Sequence, residues 1–205
     1  CMKVSEFKTA GKLITGLGAI KALTDEMARL SIKDCAIVTD KGVSSSGLLD
    51  QLLTLLPSSP LLIIDDIPPE PEVNIIEDKL AILREKQVDG IIALGGGSAI
   101  DSAKILAATY DHTGSLSELF GENTLSKRRL PLIVIPTTAG TGSEVTNIAI
   151  LSDPIAQMKK GIVSPCLLPD VAIVAPEMTK TCPQSITAAS GIDAFVHALE
   201  AYISV

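Results

Sequence analysis

Two glycine-rich segments carry residue types that bind polar or anionic ligands. The first, Gly95-Gly96-Gly97-Ser98, follows a predicted strand and opens a predicted helix. Glycines allow positive φ angles and the close approach of a ligand, and the free N–H groups at a helix N-terminus attract anions. The segment therefore predicts a pyrophosphate site. The alternative is a plain turn in which Ser98 caps the helix and Asp101 completes a capping box.

The second segment, 136–144, follows another predicted strand and offers four hydroxyl groups on a flexible backbone. Hydroxyl and N–H groups at the carboxyl end of a strand could line a polar cofactor, although a solvated loop would have the same composition. Two such loops in one sheet favour a single shared ligand. Neither segment matches GxGxxG or GxxxxGK[ST], which disfavours a P-loop triphosphatase.

Asp40 follows the strand predicted at 35–39. A carboxylate there could accept hydrogen bonds from an adenosine ribose and would repel a 2′-phosphate, which favours NAD over NADP. However, Asp40 precedes the glycines, whereas the Rossmann acid follows them, and an aspartate in an Asp-Lys-Gly turn explains the residue equally well. Lys159 lies in a polar Gln-Met-Lys-Lys stretch and by itself indicates only a surface lysine.

Asp193 and His197 lie four residues apart in a predicted helix, so they share one face. A carboxylate and an imidazole at this spacing could bind one divalent metal. The alternative is that both residues have a structural role. The segment Ser190-Gly191-Ile192-Asp193 has the pattern of a capping box, and a lone helical histidine is more often structural than a metal ligand. The other histidine, His112, lies in a turn-like stretch.

Short apolar, β-branched segments alternate with segments of helical period over much of the chain. Strands are predicted at 13–15, 35–39, 61–64, 90–94, 132–135, 147–151, 161–163 and 171–174. Helices are predicted at 48–56, 73–86 and 99–108. This order predicts an α/β fold whose parallel sheet is covered by helices. After residue 137 a hairpin or irregular excursion is expected, and from 176 the pattern becomes helical, with a break at Pro183 and a helix at 192–205.

Composition excludes several classes of protein. The 205 residues are 46% hydrophobic with a net charge of −7, and the densest basic cluster, 127–129, has no aromatic partners, so nucleic-acid binding is not expected. No apolar run has the length of a membrane span, and the N-terminus lacks a signal-peptide pattern. We therefore expect a cytoplasmic protein. Four cysteines are widely spaced, which indicates reduced, structural thiols: Cys1, Cys35, Cys166 and Cys182.

Taken in order, the glycine turn, the threonine-glycine loop and Gly191-Ile192-Asp193-Ala194 resemble the iron-containing (group III) alcohol dehydrogenases. Matching segments also include Gly16-Leu17-Gly18, Val38-Thr39-Asp40 and Leu168-Pro169-Asp170-Val171. The similarity covers nearly the whole chain. It implies a Rossmann-like nucleotide-binding domain at 1–176, followed at 177–205 by the first helices of an all-helical metal-binding domain, with the active site in the cleft between them.

The resemblance also implies site residues. The expected cofactor-binding residues are Asp40, Gly96, Gly97, Ser98, Asp101, Thr137, Thr138, Thr141, Ser143 and Lys159. Among them, Gly96, Gly97 and Ser98 would hold the pyrophosphate of NAD, Lys159 would approach the nicotinamide and Asp40 would meet the adenosine ribose. This assignment replaces the interpretation of Lys159 as a plain surface residue.

Asp193 and His197 become, by the same resemblance, two of four ligands to a divalent metal, which is expected to be Fe²⁺ with Zn²⁺ as a competitor. The implied reaction is reversible hydride transfer between a small alcohol and NAD, with the metal polarising the substrate oxygen. Two further histidine ligands would come from later in the helical domain. We therefore expect the 205 residues alone to be an inactive N-terminal fragment of a dimeric or larger enzyme.

Two other functions stay open at this point. One is a neighbour on the same fold, either a polyol dehydrogenase or a dehydroquinate-synthase-like enzyme. The other is a nucleotide-binding module without catalysis. The sequence does not identify the alcohol or aldehyde.

Overall fold

The computed structural model describes residues 7–128 and 130–204; Cys1, Arg129 and Val205 lie outside them. The strands are β1 (Leu13–Thr15), β2 (Cys35–Val38), β3 (Leu62–Ile64), β4 (Gly90–Gly95), β5 (Gly121–Glu122), β6 (Leu132–Pro136), β7 (Ile148–Asp153), β8 (Met158–Val163) and β9 (Val171–Val174). The α-helices are α1 (Leu23–Arg29), α2 (Lys41–Ser45), α3 (Leu48–Leu53), α4 (Val73–Glu85), α5 (Gly97–Ala108) and α6 (Gln184–Ile203).

Six strands form one parallel sheet in the order β1-β9-β6-β4-β2-β3. The chain passes from β2 outward to the edge strand β3 and then returns to the other side of β2 as β4. The strand order therefore reverses between β2 and β4. In an open α/β sheet, the crevice at the carboxyl ends of two such strands is where ligands bind.

Helices cover both faces of this sheet, and the apolar strands alternate between two cores. Within β4, Ile91 and Ala93 belong to one core together with side chains of α4 and α5. Ile92 and Leu94 belong to the other, where they join side chains of α1 and α3. Every residue of β4 is buried. These observations confirm the predicted Rossmann-like α/β fold.

A second, smaller sheet contains the predicted hairpin. β7 and β8 pair antiparallel from Ile148 with Val163 to Asp153 with Met158, and β5 lies parallel to β8. Strand β8 starts three residues before the predicted segment because Met158 and Lys159, although polar or exposed, still pair with β7. The short strand β5 was not predicted.

The last helix, α6, begins directly after Pro183 and continues to Ile203. Pro183 is thus a break before the helix, as predicted, although the helix starts earlier than residue 192. None of the side chains of α6 is buried. Across the described residues, no helix combines the length and apolarity that a bilayer crossing requires. The division of the chain into domains at residue 176 stays a prediction.

Candidate functional site

The three central strands end at one cavity. Asp40 follows β2, Gly96 follows β4 and Thr137 follows β6, so the topology brings their backbones to the same edge of the sheet. The cavity has a volume of about 720 Å³, within the ordinary range for a ligand site. Seven of the predicted cofactor-binding residues line it: Asp40, Gly96, Gly97, Ser98, Thr137, Thr138 and Thr141.

The glycine turn is needed for space rather than for an unusual backbone conformation. Gly96 is extended, with φ −84° and ψ −168°, and none of the three glycines has a positive φ. A β-carbon on Gly96 would lie 3.3 Å from Thr138 Oγ1, and one on Gly97 would lie 3.2 Å from Thr141 Cγ2. The expected positive φ is therefore wrong here. Two threonines of the neighbouring loop lie close to these glycines, and the close approach of a ligand stays a prediction.

The capping-box alternative for this turn is also wrong. Helix α5 begins at Gly97, with Gly96 at the N-cap, so Ser98 lies inside the first turn. Its Oγ accepts a hydrogen bond from the N–H of Glu70 at 3.2 Å. The first N–H groups of α5 have no partner within the helix, and Gly97 and Ser98 line the cavity. This end of the helix is consequently available to an anionic ligand.

The threonine-glycine loop lies against the glycine turn. The N–H of Thr137 donates to Gly95 O at 2.9 Å, which joins the start of the loop to the end of β4. Thr137, Thr138 and Thr141 line the cavity. Ser143 is buried and would be 3.4 Å from a β-carbon on Gly97, but it does not line the cavity. The two loops thus form one polar wall, as the shared-ligand prediction requires.

Asp101 lies away from the cavity and forms a buried polar pair with Lys104. Lys104 has no exposed surface, and its Nζ lies 2.9 Å from Ile148 O, 3.1 Å from Thr146 Oγ1 and 3.6 Å from Asp101 Oδ1. Asp101 Oδ2 accepts from the N–H of Ile150 at 3.0 Å. Burial lowers the pKa of Lys104, and the carboxylate of Asp101 only partly offsets this effect.

This pair connects three parts of the site. Both charged residues belong to α5, whereas their partners lie at the end of the threonine-glycine loop and in β7. The ammonium group of Lys104 donates hydrogen bonds to Thr146 Oγ1 and Ile148 O, and Asp101 Oδ1 at 3.6 Å adds an ion-pair contact beyond hydrogen-bond distance. Asp101 does not touch the cavity, so any effect that it has on a bound cofactor is exerted through the position of the loop.

Asp40 has a structural contact as well as a place in the cavity. Its Oδ1 accepts from the N–H of Val43 at 2.9 Å and caps helix α2, which agrees with the turn interpretation. Its Oδ2 would lie 3.4 Å from a β-carbon on Gly95. The capping hydrogen bond therefore holds the carboxylate next to the glycine turn, at the switch point between β2 and β4.

Lys159 lies outside the residues that line the cavity. It is on β8, and its exposed ammonium pairs with Glu70 at 2.8 Å. Because the N–H of Glu70 donates to Ser98, the ion pair links β8 to the first turn of α5. The expected approach of Lys159 to a nicotinamide stays a prediction.

One face of α6 continues from the cavity to the predicted metal ligands. Ile186 and Ser190 line the cavity, and Asp193 and His197 follow at spacings of three and four residues, which places all four on one stripe. His197 Nε2 lies 3.6 Å from Asp193 Oδ1. Since Ser190 is in the interior of α6, its interpretation as a helix cap is wrong.

No third donor joins this pair in the part of the chain that the structure describes, where no group of three histidine, cysteine, aspartate or glutamate residues could hold a metal. His112 lies elsewhere, in the turn after α5, and near Ser115. Asp193 and His197 therefore provide two metal-ligand donors, and both side chains are partly exposed to solvent.

Sequence reasoning missed part of the cavity wall. The segment after β3, including Ile67, Pro68 and Pro69, also lines the cavity, and Cys182 and Ile186 line it from the α6 side. The signal for the first segment was available, because it follows the carboxyl end of a parallel strand. No local pattern indicated the second.

A parallel sheet with a glycine turn, a hydroxyl-rich loop and an aspartate at its switch point defines a nucleotide-binding α/β protein. Residues 10–176 match the family model of the iron-containing alcohol dehydrogenases. The chain belongs to this family.

Relatives agree in sequence and in structure. Long-chain-alcohol dehydrogenase 1 of Geobacillus thermodenitrificans is 43% identical over 195 residues, 93% of this chain and 49% of its own length. The NAD-dependent methanol dehydrogenase of Bacillus methanolicus is 31% identical over 93% of this chain and 51% of its own. The chain thus spans about half the length of the curated relatives it matches.

Among solved structures, the sulfoacetaldehyde reductase of Bifidobacterium kashiwanohense in complex with NAD⁺ superimposes with a TM-score of 0.90 and 31% identity. The match covers 97% of this chain and 53% of that one. A 1,3-propanediol oxidoreductase gives a TM-score of 0.90 and 33% identity, covering 98% of this chain and 53% of its own. The fold at the cavity is therefore that of an alcohol oxidoreductase family.

Proposed function

We propose that this chain is the NAD-binding half of a metal-dependent alcohol dehydrogenase that interconverts a small alcohol and its aldehyde. The observation that carries the proposal is the cavity at the switch point, which several parts of the chain share. It is lined by the glycine turn, by three threonines of the adjoining loop and by the face of α6 that continues to Asp193 and His197.

The cavity residues fit a dinucleotide. Gly96 and Gly97 form the N-terminus of α5 and line the cavity. Because they have no side chains, a pyrophosphate could approach the free N–H groups of the helix. Thr137, Thr138 and Thr141 supply hydroxyl groups next to it. Asp40 places a carboxylate at the end of β2, where it would accept hydrogen bonds from an adenosine ribose and repel a 2′-phosphate, so NAD is the expected cofactor. The complex of a relative with NAD⁺ supports this assignment.

Asp193 and His197 fit a divalent metal in donor chemistry and spacing, because they have carboxylate oxygen and imidazole nitrogen on one helix stripe. The family membership favours Fe²⁺, and two further ligands would have to come from outside the described residues. When bound, the metal would polarise the substrate oxygen and the nicotinamide would exchange a hydride with the carbinol carbon.

The residues of this chain position the reactants. The glycine turn and threonine loop would hold the cofactor's phosphates and riboses at the sheet edge, while α6 would present the metal toward the same cavity. Holding two reacting groups in this way removes much of the entropic part of the barrier. The substrate class is a small alcohol or aldehyde. The dimer implied by the resemblance and the cytoplasmic location expected from the sequence are part of the same proposal.

The cofactor half of the proposal is testable by titrating the 205-residue chain with NADH and recording the fluorescence of the nicotinamide. We expect weak but saturable binding, low retention of Fe²⁺ and no turnover of alcohols. Absence of binding to NADH and to ADP-ribose would refute it. Alcohol oxidation by the verified chain alone would refute the expectation that two metal ligands are insufficient.

The catalytic half requires the enzyme that joins this chain to the metal-binding half found in its relatives. Its rates with straight-chain alcohols and with polyols separate an alcohol dehydrogenase from a polyol dehydrogenase on the same fold. We expect NAD⁺ reduction with simple alcohols that depends on added Fe²⁺ or Zn²⁺. A protein that binds NADH but reduces NAD⁺ with none of these substrates would instead be a non-catalytic nucleotide-binding module.

A further inference from the structure

Gly140 of the threonine-glycine loop packs tightly against Ser190 of α6. A β-carbon at Gly140 would lie 2.3 Å from the carbonyl oxygen of Ser190, 2.7 Å from its carbonyl carbon and 2.7 Å from its Cβ. Distances below 3.0 Å are essentially never observed for a real β-carbon. Because the nearest atoms are backbone of a helix, no side-chain rotation can make room.

The contact lies between the two halves of the proposed reaction centre. In sequence, Gly140 stands between Thr138 and Thr141, which line the cofactor cavity. Ser190 also lines the cavity and precedes Asp193 by three residues on the same helix stripe. The packing distance at this one point therefore contributes to the separation between the loop that faces the cofactor and the helix that carries the metal donors.

We propose that Gly140 is a positioning residue that sets the distance between the bound nicotinamide nucleotide and the metal-carrying helix. This inference rests on the proposed function for its catalytic consequence, but not for the contact itself. Gly140 does not have a positive φ. An alanine at this position would therefore clash with Ser190 but would not strain its own backbone. The substitution thus tests the distance between the loop and α6.

The structure gives the size of the perturbation. Gly140→Ala must open the contact from 2.3 Å to at least 3.0 Å, a movement of about 0.7 Å. A misplacement of about 1 Å far from the chemistry can reduce a rate by about 100-fold. We therefore expect kcat to fall by about 10- to 100-fold in the enzyme. The Kd for ADP-ribose, which lacks the nicotinamide, should change by less than about threefold because the glycine turn is not displaced.

Gly142→Ala is the matched control. Gly142 lies two residues further along the same loop and has φ +66°, but no atom lies within 4 Å of its ideal β-carbon. An alanine there strains the loop without pushing α6. Hydrogen exchange of the α6 peptides, measured on both 205-residue variants by mass spectrometry, should accelerate in Gly140→Ala and stay close to wild type in Gly142→Ala.

Exchange and kinetics decide the inference separately. Faster α6 exchange together with a fall in kcat at unchanged ADP-ribose affinity supports it. Unchanged α6 exchange in Gly140→Ala, or a kcat within about twofold of wild type, overturns it. If the unsubstituted enzyme oxidises no alcohol, the proposed function fails, and the exchange comparison still decides whether Gly140 sets the position of α6.

Discussion

Removing the charge of Lys104 should destabilise this fold far more than removing a charge from a shorter, exposed ion pair. Lys104→Met keeps most of the side-chain volume but deletes the ammonium that faces Thr146 Oγ1, Ile148 O and Asp101 Oδ1. The carboxylate of Asp101 then stays buried without its neighbouring cation, although it still accepts a hydrogen bond from the N–H of Ile150. Its uncompensated charge is the main cost.

The expected loss follows from burial. Breaking a buried pair by removing one partner costs about 3–5 kcal/mol, a large part of the total of about 5–15 kcal/mol that is usual for a folded protein. The control is Lys41→Met, which breaks the pair between Lys41 and Asp65. That pair is closer, at 2.7 Å, but the Lys41 side chain is 68% exposed, so its loss should cost no more than about 1 kcal/mol.

Urea denaturation of the 205-residue chain, followed by far-UV circular dichroism, measures both effects. The variants Asp101→Asn and Asp101→Asn/Lys104→Met complete a double-mutant cycle. Because the double variant leaves no charge unpaired, it should cost less than the sum of the single variants by about 1–3 kcal/mol. The reasoning is refuted if Lys104→Met costs no more than Lys41→Met, or if the two single effects simply add.

Two further predictions concern titrating groups. Burial raises the pKa of Cys35 to about 11, so Cys35 should stay unmodified by a thiol reagent at pH 8. Cys182 lines the cavity and should react with the same reagent unless NADH is bound. Peptide mass spectrometry identifies the modified cysteines. Burial alone would raise the pKa of Glu26, but hydrogen-bonded Lys12 and Arg29 more than offset it and the net pKa lies below 4.5. Its contribution to stability is therefore complete above pH 4.5 and lost as the pH falls through the lower folded value, and Glu26→Gln should reduce this acid sensitivity in urea titrations.

A third prediction separates the two roles of Asp40. Asp40→Asn keeps an oxygen that can cap α2 but removes the charge, whereas Asp40→Gly removes both. If the carboxylate meets the adenosine ribose, both variants should lose preference for NADH over NADPH. Ratios of dissociation constants measured by fluorescence titration test this, and an unchanged ratio in both variants would remove Asp40 from cofactor selection.

The central strands could be predicted because their burial leaves a simple signal. β2, β4 and β6 are buried along their whole length, and a strand buried on both faces has an uninterrupted apolar sequence. Their carboxyl ends then determine where Asp40, Gly96 and Thr137 meet. The shared cavity follows from the strand order of the sheet. The alternation of strands and helices predicted a parallel sheet but not this order.

The short elements were missed for equally physical reasons. α2 has five residues, two of them serines and one a glycine, and its start is defined by the Asp40 cap rather than by an apolar pattern. α1 buries Leu23, Glu26 and Met27, so a carboxylate occupies one of its inward positions. Glu26 is tolerated there because it is hydrogen-bonded to Lys12 and Arg29, and Lys12 belongs to a distant part of the sequence.

The buried pair in α5 also could not be read from its spacing. Asp101 and Lys104 stand three residues apart, a pattern that usually describes a solvated ion pair on a helix surface. Their burial depends on β7 and the end of the threonine-glycine loop, which contact them from more than 40 residues away in sequence. In this fold Asp101 pairs with Lys104, which donates to Thr146 at the end of the threonine-glycine loop, and the role of Asp101 toward a cofactor stays a prediction.

The two capping-box patterns also show that residue spacing alone does not determine where a helix begins. Ser98 with Asp101, and Ser190 with Asp193, each have the spacing of a helix start, but α5 begins before Ser98 and α6 begins at Gln184. Once these serines lie within helices, the neighbouring carboxylates need another explanation. Asp101 has one in Lys104, whereas the ion-pair partner of Asp193 among the described residues is His197, at 3.6 Å. The stripe that joins this pair to the cavity through Ser190 is what favours a metal ligand over a cap.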